Sequence, residues 1–211
     1  MAYPGITAVV FDLGGVLLDW DPRHLYRKLI SDPADLEHFL AWICTPGWHR
    51  AHDLGGDIER SCRHLARAHP EHADLIMAWW SRGSEMLAGQ FDDAAAVLQD
   101  AKALGVPCYA LSNMEPEMFR QRREAFSFFD LFDGWVISGL DGVVKPDRAI
   151  FEILLTRYRL APEATVFVDD SAANVAAARR LGIRAVQYTT ARTLSEYLRG
   201  GGLALAEVHS S

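Results

Sequence analysis

Five short apolar runs, each stopping abruptly at polar residues, constrain this chain more than any other feature. Residues 6–11 (ITAVVF) stop at Asp12 and the pair Gly14-Gly15, residues 106–111 at Ser112-Asn113, and residues 165–168 (TVFV) at Asp169-Asp170; residues 135–138 and 184–188 follow the same grammar. Runs this short, rich in β-branched side chains, read as strands buried on both faces. Helical patterns lie between them: 92–104, with Val97, Ala101 and Leu104 on one face and Gly105 as a stop; 148–159; and 172–181, opened by Ser171 and closed by Gly182. The alternation predicts an α/β fold, a doubly wound parallel sheet with right-handed crossovers. Ligands of such sheets bind beyond the carboxyl ends of the strands, and that is where the polar residues fall.

Residues 20–88 break the pattern. They carry helical periodicity at 24–30, 35–43, 58–68 and 73–86, and no convincing strand. The expected division is a core of 1–19 and 89–211 with a helical insert of 20–88. The insert holds five of the six tryptophans (Trp20, Trp42, Trp48, Trp79, Trp80) and seven of the eight histidines. Its segment 45–58 (TPGWHRAHDLGGDI) reads as a loop reaching over a pocket, with Trp48 and His49 as candidate substrate contacts and Trp20 and Trp42 as further apolar liners. Packing inside a small helical unit is the commoner use of tryptophan. His64, His69 and His72 have no zinc spacing and, beside Arg63, Arg67 and Glu71, read as a solvated face. A helix is expected around 116–126, and the tail from Gly200 reads as loosely held.

Composition narrows the function. Half of the 211 residues are hydrophobic and 23% are charged, enough to bury a core. A net charge of −7 is the wrong sign for a surface that neutralises a nucleic-acid backbone. Cys44, Cys62 and Cys108 form an odd set without metal-site spacing, which fits a reducing cytoplasm. No signal peptide is legible, so the mature chain is expected to start near Met1, and no apolar run approaches the roughly 18 residues of a membrane span.

At the strand ends, chemistry accumulates. Asp12 is followed by glycines that let the backbone loop tightly around whatever the carboxylate holds. Ser112 and Asn113 offer a hydroxyl, an amide and following N–H groups to an anionic oxygen, and Lys145 precedes a proline that opens a helix. Each alone reads equally well as a turn, a cap or a surface charge. Asp169-Asp170 is sharper, because two adjacent carboxylates at the end of a buried strand repel each other unless a cation compensates. Carboxylates are hard ligands suited to Mg²⁺. Together these groups suit phosphoryl transfer through an aspartyl-phosphate.

At these residues the chain resembles the haloacid dehalogenase superfamily of hydrolases, most of which are Mg²⁺-dependent phosphatases. VVFDLGGVLLDWD resembles its first motif, ALSNM its second, VVKPDRAIF its third and VFVDDSAANVAAARRLGI its fourth; the intervals from Asp12 to Ser112, Lys145 and Asp169 are 100, 33 and 24 residues in turn. The resemblance implies a helical cap after the first motif and a small phosphorylated substrate. It implies Asp12 as nucleophile, Mg²⁺ held by Asp12, the Gly14 carbonyl and Asp170 with Asp169 supporting, and Ser112, Asn113 and Lys145 around the phosphoryl group. Gly14 departs from the usual phosphatase pattern, which has an aspartate there to protonate the leaving group. Some phosphatases of the family, including ones similar to sugar-1-phosphate phosphatases, share the glycine. Asp19, Asp21, His49 and His52 are the candidate substitutes. Three rivals stand beside this reading: a 2-haloacid dehalogenase using the same aspartate, a phosphoacceptor receiver, and a weakly active relative that binds a phosphorylated ligand.

Overall fold

The computed structural model describes residues 5–205. Among them run seven strands, β1 (Ala8–Phe11), β2 (Leu18–Trp20), β3 (Leu87–Gln90), β4 (Cys108–Ser112), β5 (Gly134–Ile137), β6 (Thr165–Asp169) and β7 (Arg184–Gln187). Five form one parallel sheet in the order β5-β4-β1-β6-β7. β1 is central and fully buried, so its side chains alternate between two apolar layers: Val9 and Phe11 join one, Ala8 and Val10 the other. Pro107 lacks an N–H and stays outside β4, although its carbonyl accepts from Val9 N at 3.0 Å.

Helices α1 (Arg23–Tyr26), α2 (Pro33–His38), α3 (Pro46–Asp53), α4 (Ile58–Ala68) and α5 (Ala73–Ser81) lie between β2 and β3. Six more follow: α6 (Asp92–Ala103), α7 (Pro116–Ala125), α8 (Ser138–Asp141), α9 (Arg148–Tyr158), α10 (Ala172–Arg180) and α11 (Ala191–Gly200). Val97 and Leu98 of α6, Phe119 of α7 and Leu194 and Leu198 of α11 cover one face of the sheet. Ile150, Phe151 and Leu154 of α9 and Val175 and Ala178 of α10 cover the other. This is the doubly wound α/β architecture expected from the sequence. The chain leaves β1 for β4 and β5 on one side and crosses back to β6 and β7 on the other. The switch point therefore lies at the carboxyl end of β1, beside Asp12.

A third apolar cluster draws only on the helical segment, with Leu25, Tyr26, Phe39, Cys62, Ile76 and Trp79 at its centre. Fully burying side chains of this size contributes about 1.5–3 kcal/mol each. Tyr26 keeps its hydroxyl satisfied by donating to the Leu75 carbonyl at 2.9 Å.

Three local expectations are corrected. The segment 45–58 is mainly helix rather than loop: Thr45 Oγ1 accepts from Trp48 N at 3.1 Å and Pro46 occupies the first turn, a strong start for α3. The stretch 20–88 is not free of strands, since Leu87 opens β3, which pairs antiparallel with β2 and straddles the expected boundary at 88. Strands of three and four residues with a bulge between them carry too little pattern to read. Of the tail from Gly200, the described residues 200–205 are better held than expected, since Leu205 is buried in the first layer; residues 206–211 lie outside the described part, as does the expected start at Met1. No helix among the described residues is long and apolar enough to cross a membrane.

Candidate active site

Asp12 begins where β1 ends. Its N–H donates to the Val168 carbonyl at 2.8 Å, which fixes the backbone between β1 and β6. Its Oδ1 accepts from Leu13 N at 2.7 Å and lies 2.8 Å from Lys145 Nζ, while no hydrogen bond from the described residues engages Oδ2. The loop then turns back through Gly15, whose N–H donates to the Leu18 carbonyl at 2.9 Å. Gly15 has a φ of +73°, and a Cβ there would sit 2.5 Å from Asp170 Oδ2, so only glycine lets the loop and that carboxylate approach each other. At Gly14 a Cβ would meet nothing within 4 Å.

Lys145 Nζ is buried between two carboxylates, 2.8 Å from Asp12 Oδ1 and 2.7 Å from Asp169 Oδ2. Burial works against its charge, but Asp12 and Asp169 outweigh that and hold the ammonium above its ordinary pKa. Asp169 is wholly buried, and its Oδ1 accepts from Ser171 N at 2.8 Å and Asn174 Nδ2 at 3.0 Å. Asp170 is held through its backbone carbonyl, which accepts from Gln187 Nε2 at 2.9 Å, leaving its carboxylate toward the pocket. Burial pushes Asp12 well above the usual carboxylate range, with Lys145 opposing and Asp169 and Asp170 adding to the push. It pushes Asp170 up as well, Asp169 adding to it.

Asp12, Asp169 and Asp170 each offer an oxygen within 4.8 Å of the others, against one lysine. That surplus of negative charge in a desolvated place, built from hard oxygen donors, fits Mg²⁺. Asp12 and Asp170 line the cavity, as does Gly14, whereas both Asp169 oxygens already have protein partners.

Ser112 is the last residue of β4, buried, and lines the same cavity of about 430 Å³ as Asp12, Lys145 and Asp170. Asn113 also lines it, but its amide is engaged at both ends: Oδ1 accepts from Lys145 N at 2.8 Å and Nδ2 donates to the Lys145 carbonyl at 3.0 Å. The side chain expected to hold an anion instead fixes the loop that delivers Lys145. Neither residue caps α7, since Glu115 does so.

From the helical segment, Trp20, His49, His52 and Asp53 close the far wall of the cavity. Trp20 stacks on His49 with centroids 5.3 Å apart. Trp48, expected to contact substrate, instead packs edge-on against His52 and Trp79, because the N-cap of α3 turns it into the third cluster. Trp42 is 72% exposed and stacks on His38, away from the residues of this cavity. Asp19 is held by His24 at 2.8 Å, and Asp21 accepts from Arg23 N at 2.8 Å. Burial lowers the His49 pKa to about 4, with His52 adding to it, and raises that of Asp53 to about 7 against the pull of Lys145 and Arg50. Asp53 and Asn174 were not legible as site residues. Asn174 follows two alanines without a motif of its own, and Asp53 fell in a segment read as loop.

An acid cluster and a buried lysine at the switch point of a doubly wound sheet, walled by an inserted helical layer, define a hydrolase of the haloacid dehalogenase type. The chain belongs to that family: the haloacid dehalogenase-like hydrolase profile matches residues 6–182. Among curated relatives, the sesquiterpene phosphatase astK of Aspergillus oryzae is 29% identical over 86% of this chain and 89% of its own length. The phosphoserine phosphatase of Thermus thermophilus is 32% identical over 78% of this chain and 68% of its own. A longer relative, drimenol cyclase drtB of Aspergillus calidoustus, is spanned over 34% of its length. In fold, the chain is similar to the family enzyme bt-2542 of Bacteroides thetaiotaomicron in its magnesium complex, with a TM-score of 0.71 at 20% identity over 93% of this chain and 100% of that one. It is also similar to the L-2-haloacid dehalogenase of Xanthobacter autotrophicus, with a TM-score of 0.61 at 20% identity over 94% and 84%.

Proposed function

We propose that this hydrolase is a Mg²⁺-dependent phosphatase that cleaves a small-molecule phosphate ester through an aspartyl-phosphate on Asp12. The observation that carries this reading is the pairing of a half-engaged Asp12 with Lys145 and the acid doublet, all within one cavity. Oδ2 of Asp12 attacks phosphorus, and Lys145 holds Oδ1, orients the carboxylate and offsets its charge. The Ser112 hydroxyl and the N–H groups after β4 receive the phosphoryl oxygens. Asn113 holds Lys145 in place, and Asn174 with Ser171 N holds Asp169. Mg²⁺, held by Asp12, Asp170 and the Gly14 carbonyl, supplies positive charge for the phosphoryl oxygens when bound.

Residues 1–19 and 89–211 act as the catalytic core and 20–88 as a cap that selects the substrate and excludes water. A sugar phosphate is one class of substrate for the cavity over the acid cluster, which Arg23, Asn113 and Glu115 also line. A second reading of the leaving group, an apolar alcohol, is favoured by an adjoining chamber of about 310 Å³. This chamber shares Trp20 and His49 with the site and continues past Leu40, Ala41 and Trp79. The similarity to a sesquiterpene phosphatase supports the same class.

The test is phosphate release from a panel holding a sugar 1-phosphate and a sesquiterpenyl monophosphate, with Mg²⁺, with chelator, and with Asp12→Asn. Release that stops with chelator and in the variant is expected. Metal-independent halide release from a 2-haloacid, with no phosphate released from any ester, would instead establish the dehalogenase reading.

A further inference from the structure

Gly14 leaves this site without a carboxyl at the position from which a leaving group would be protonated, and the cavity must supply a proton from elsewhere. Of the four substitutes named from the sequence, Asp19 is held by His24 and Asp21 caps the turn into α1. His49 is half-buried and His52 buried, and desolvation disfavours the charged form of both rings, with His52 unpartnered at both nitrogens. Asp53 is different. Its side chain lines the cavity with Asp12 and Lys145 and has its nearest ring nitrogen, His49 Nε2, at 3.6 Å, beyond hydrogen-bond length.

Its position is also fixed from the core side. The Asp53 carbonyl accepts from Ser138 Oγ, the same oxygen that accepts from Met114 N at 2.9 Å, so one buried hydroxyl ties the end of α3 to the strand ends of β4 and β5. One turn earlier, Arg50 Nη2 reaches both carboxylate oxygens of Asp147 at 2.8 Å, just after the Lys145 loop. Two residues later, a Cβ on Gly55 would lie 3.4 Å from the Gly139 carbonyl. The helical segment is thus pinned to the core around Asp53.

We propose that Asp53 is the general acid and base of this site, supplied by the helical segment in place of the carboxyl that Gly14 lacks; this rests on the phosphatase reading above. As Asp12 Oδ2 bonds to phosphorus and the ester P–O bond breaks, the Asp53 carboxyl gives its proton to the departing alkoxide, releasing the alcohol. The resulting Asp53 carboxylate then takes a proton from water as the water oxygen attacks phosphorus. The bond from phosphorus to Asp12 breaks, phosphate leaves, and both carboxyl groups return to their starting states. Desolvation favours the protonated form that the first step requires.

The experiment compares p-nitrophenyl phosphate, whose leaving group needs little protonation, with propyl phosphate, whose leaving group needs much. Asp53→Asn is expected to lower kcat/KM, which reports the step that expels the leaving group, by about 10²-fold or more for propyl phosphate and at least tenfold less for the aryl ester. Adding Gly14→Asp to that variant is expected to recover propyl phosphate turnover, which separates lost proton transfer from a lost fold. An equal loss on both esters, no loss on either, or no recovery with Asp at position 14 would overturn the assignment of Asp53. Wild-type protein that releases phosphate from neither ester, with Mg²⁺ present, would overturn the phosphatase reading itself.

Discussion

Lys145 lies within 2.8 Å of two carboxylates, and this decides what each acid can do. Asp169 is enclosed by Lys145, Ser171 N and Asn174, so it acts as a fixed counter-charge, while Asp12 keeps one oxygen free and Asp170 faces the pocket. The acids were legible from the sequence because a doublet after a buried strand demands compensation. Their division of labour was not, since it depends on an asparagine from the following helix and on an amide turned toward backbone. Gly14 makes the residue-scale prediction. A Cβ there meets nothing within 4 Å, so Gly14→Asp should fold and raise turnover more for alkyl than for aryl phosphates, measured as the ratio of the two kcat/KM values. Equal effects on both would show that protonation of the leaving group does not limit the wild-type reaction.

At the scale of elements, the five core strands were readable to within two residues because their runs are short and apolar, and those of β1, β4 and β6 are wholly buried and end on acids or a hydroxyl. Helix α3 was not, because glycines and aromatics obscure a helix whose start depends on the Thr45 cap and Pro46. The short β2-β3 ribbon was missed for want of length, and α11 because its capping threonines resemble a loop. The cost of placing α3 over the site shows in its titration. Burial holds the proton on folded Asp53 up to about 7, whereas the unfolded carboxyl releases it near 3.8. The stability this group contributes is therefore present at low pH and lost as pH rises toward 7, an effect of up to about 4 kcal/mol. Asp53→Asn removes that dependence. Relative to wild type, its urea-unfolding free energy should be about 2–3 kcal/mol more favourable at pH 8 than at pH 5, a gain in stability obtained by removing a functional group. A difference that does not change with pH would mean that Asp53 is solvated.

For the whole molecule, the sheet order and the placement of the acids make one statement. The chain reverses direction across the sheet at β1, which opens a crevice at its carboxyl edge, and every strand bordering that crevice ends on a residue of the site. Architecture and crevice followed from the alternation of buried runs and helices. The walls did not, because they are set by packing between helices distant in sequence from the acids they cover. The central claim is that Asp12 becomes the phosphorylated residue. Acid-quenching the protein during turnover of p-nitrophenyl phosphate with Mg²⁺, followed by peptide mass spectrometry, tests it most directly. The account predicts a phosphoryl group on Asp12 that is absent in Asp12→Asn; turnover with the adduct on another residue, or with none trapped at any quench time, would contradict it.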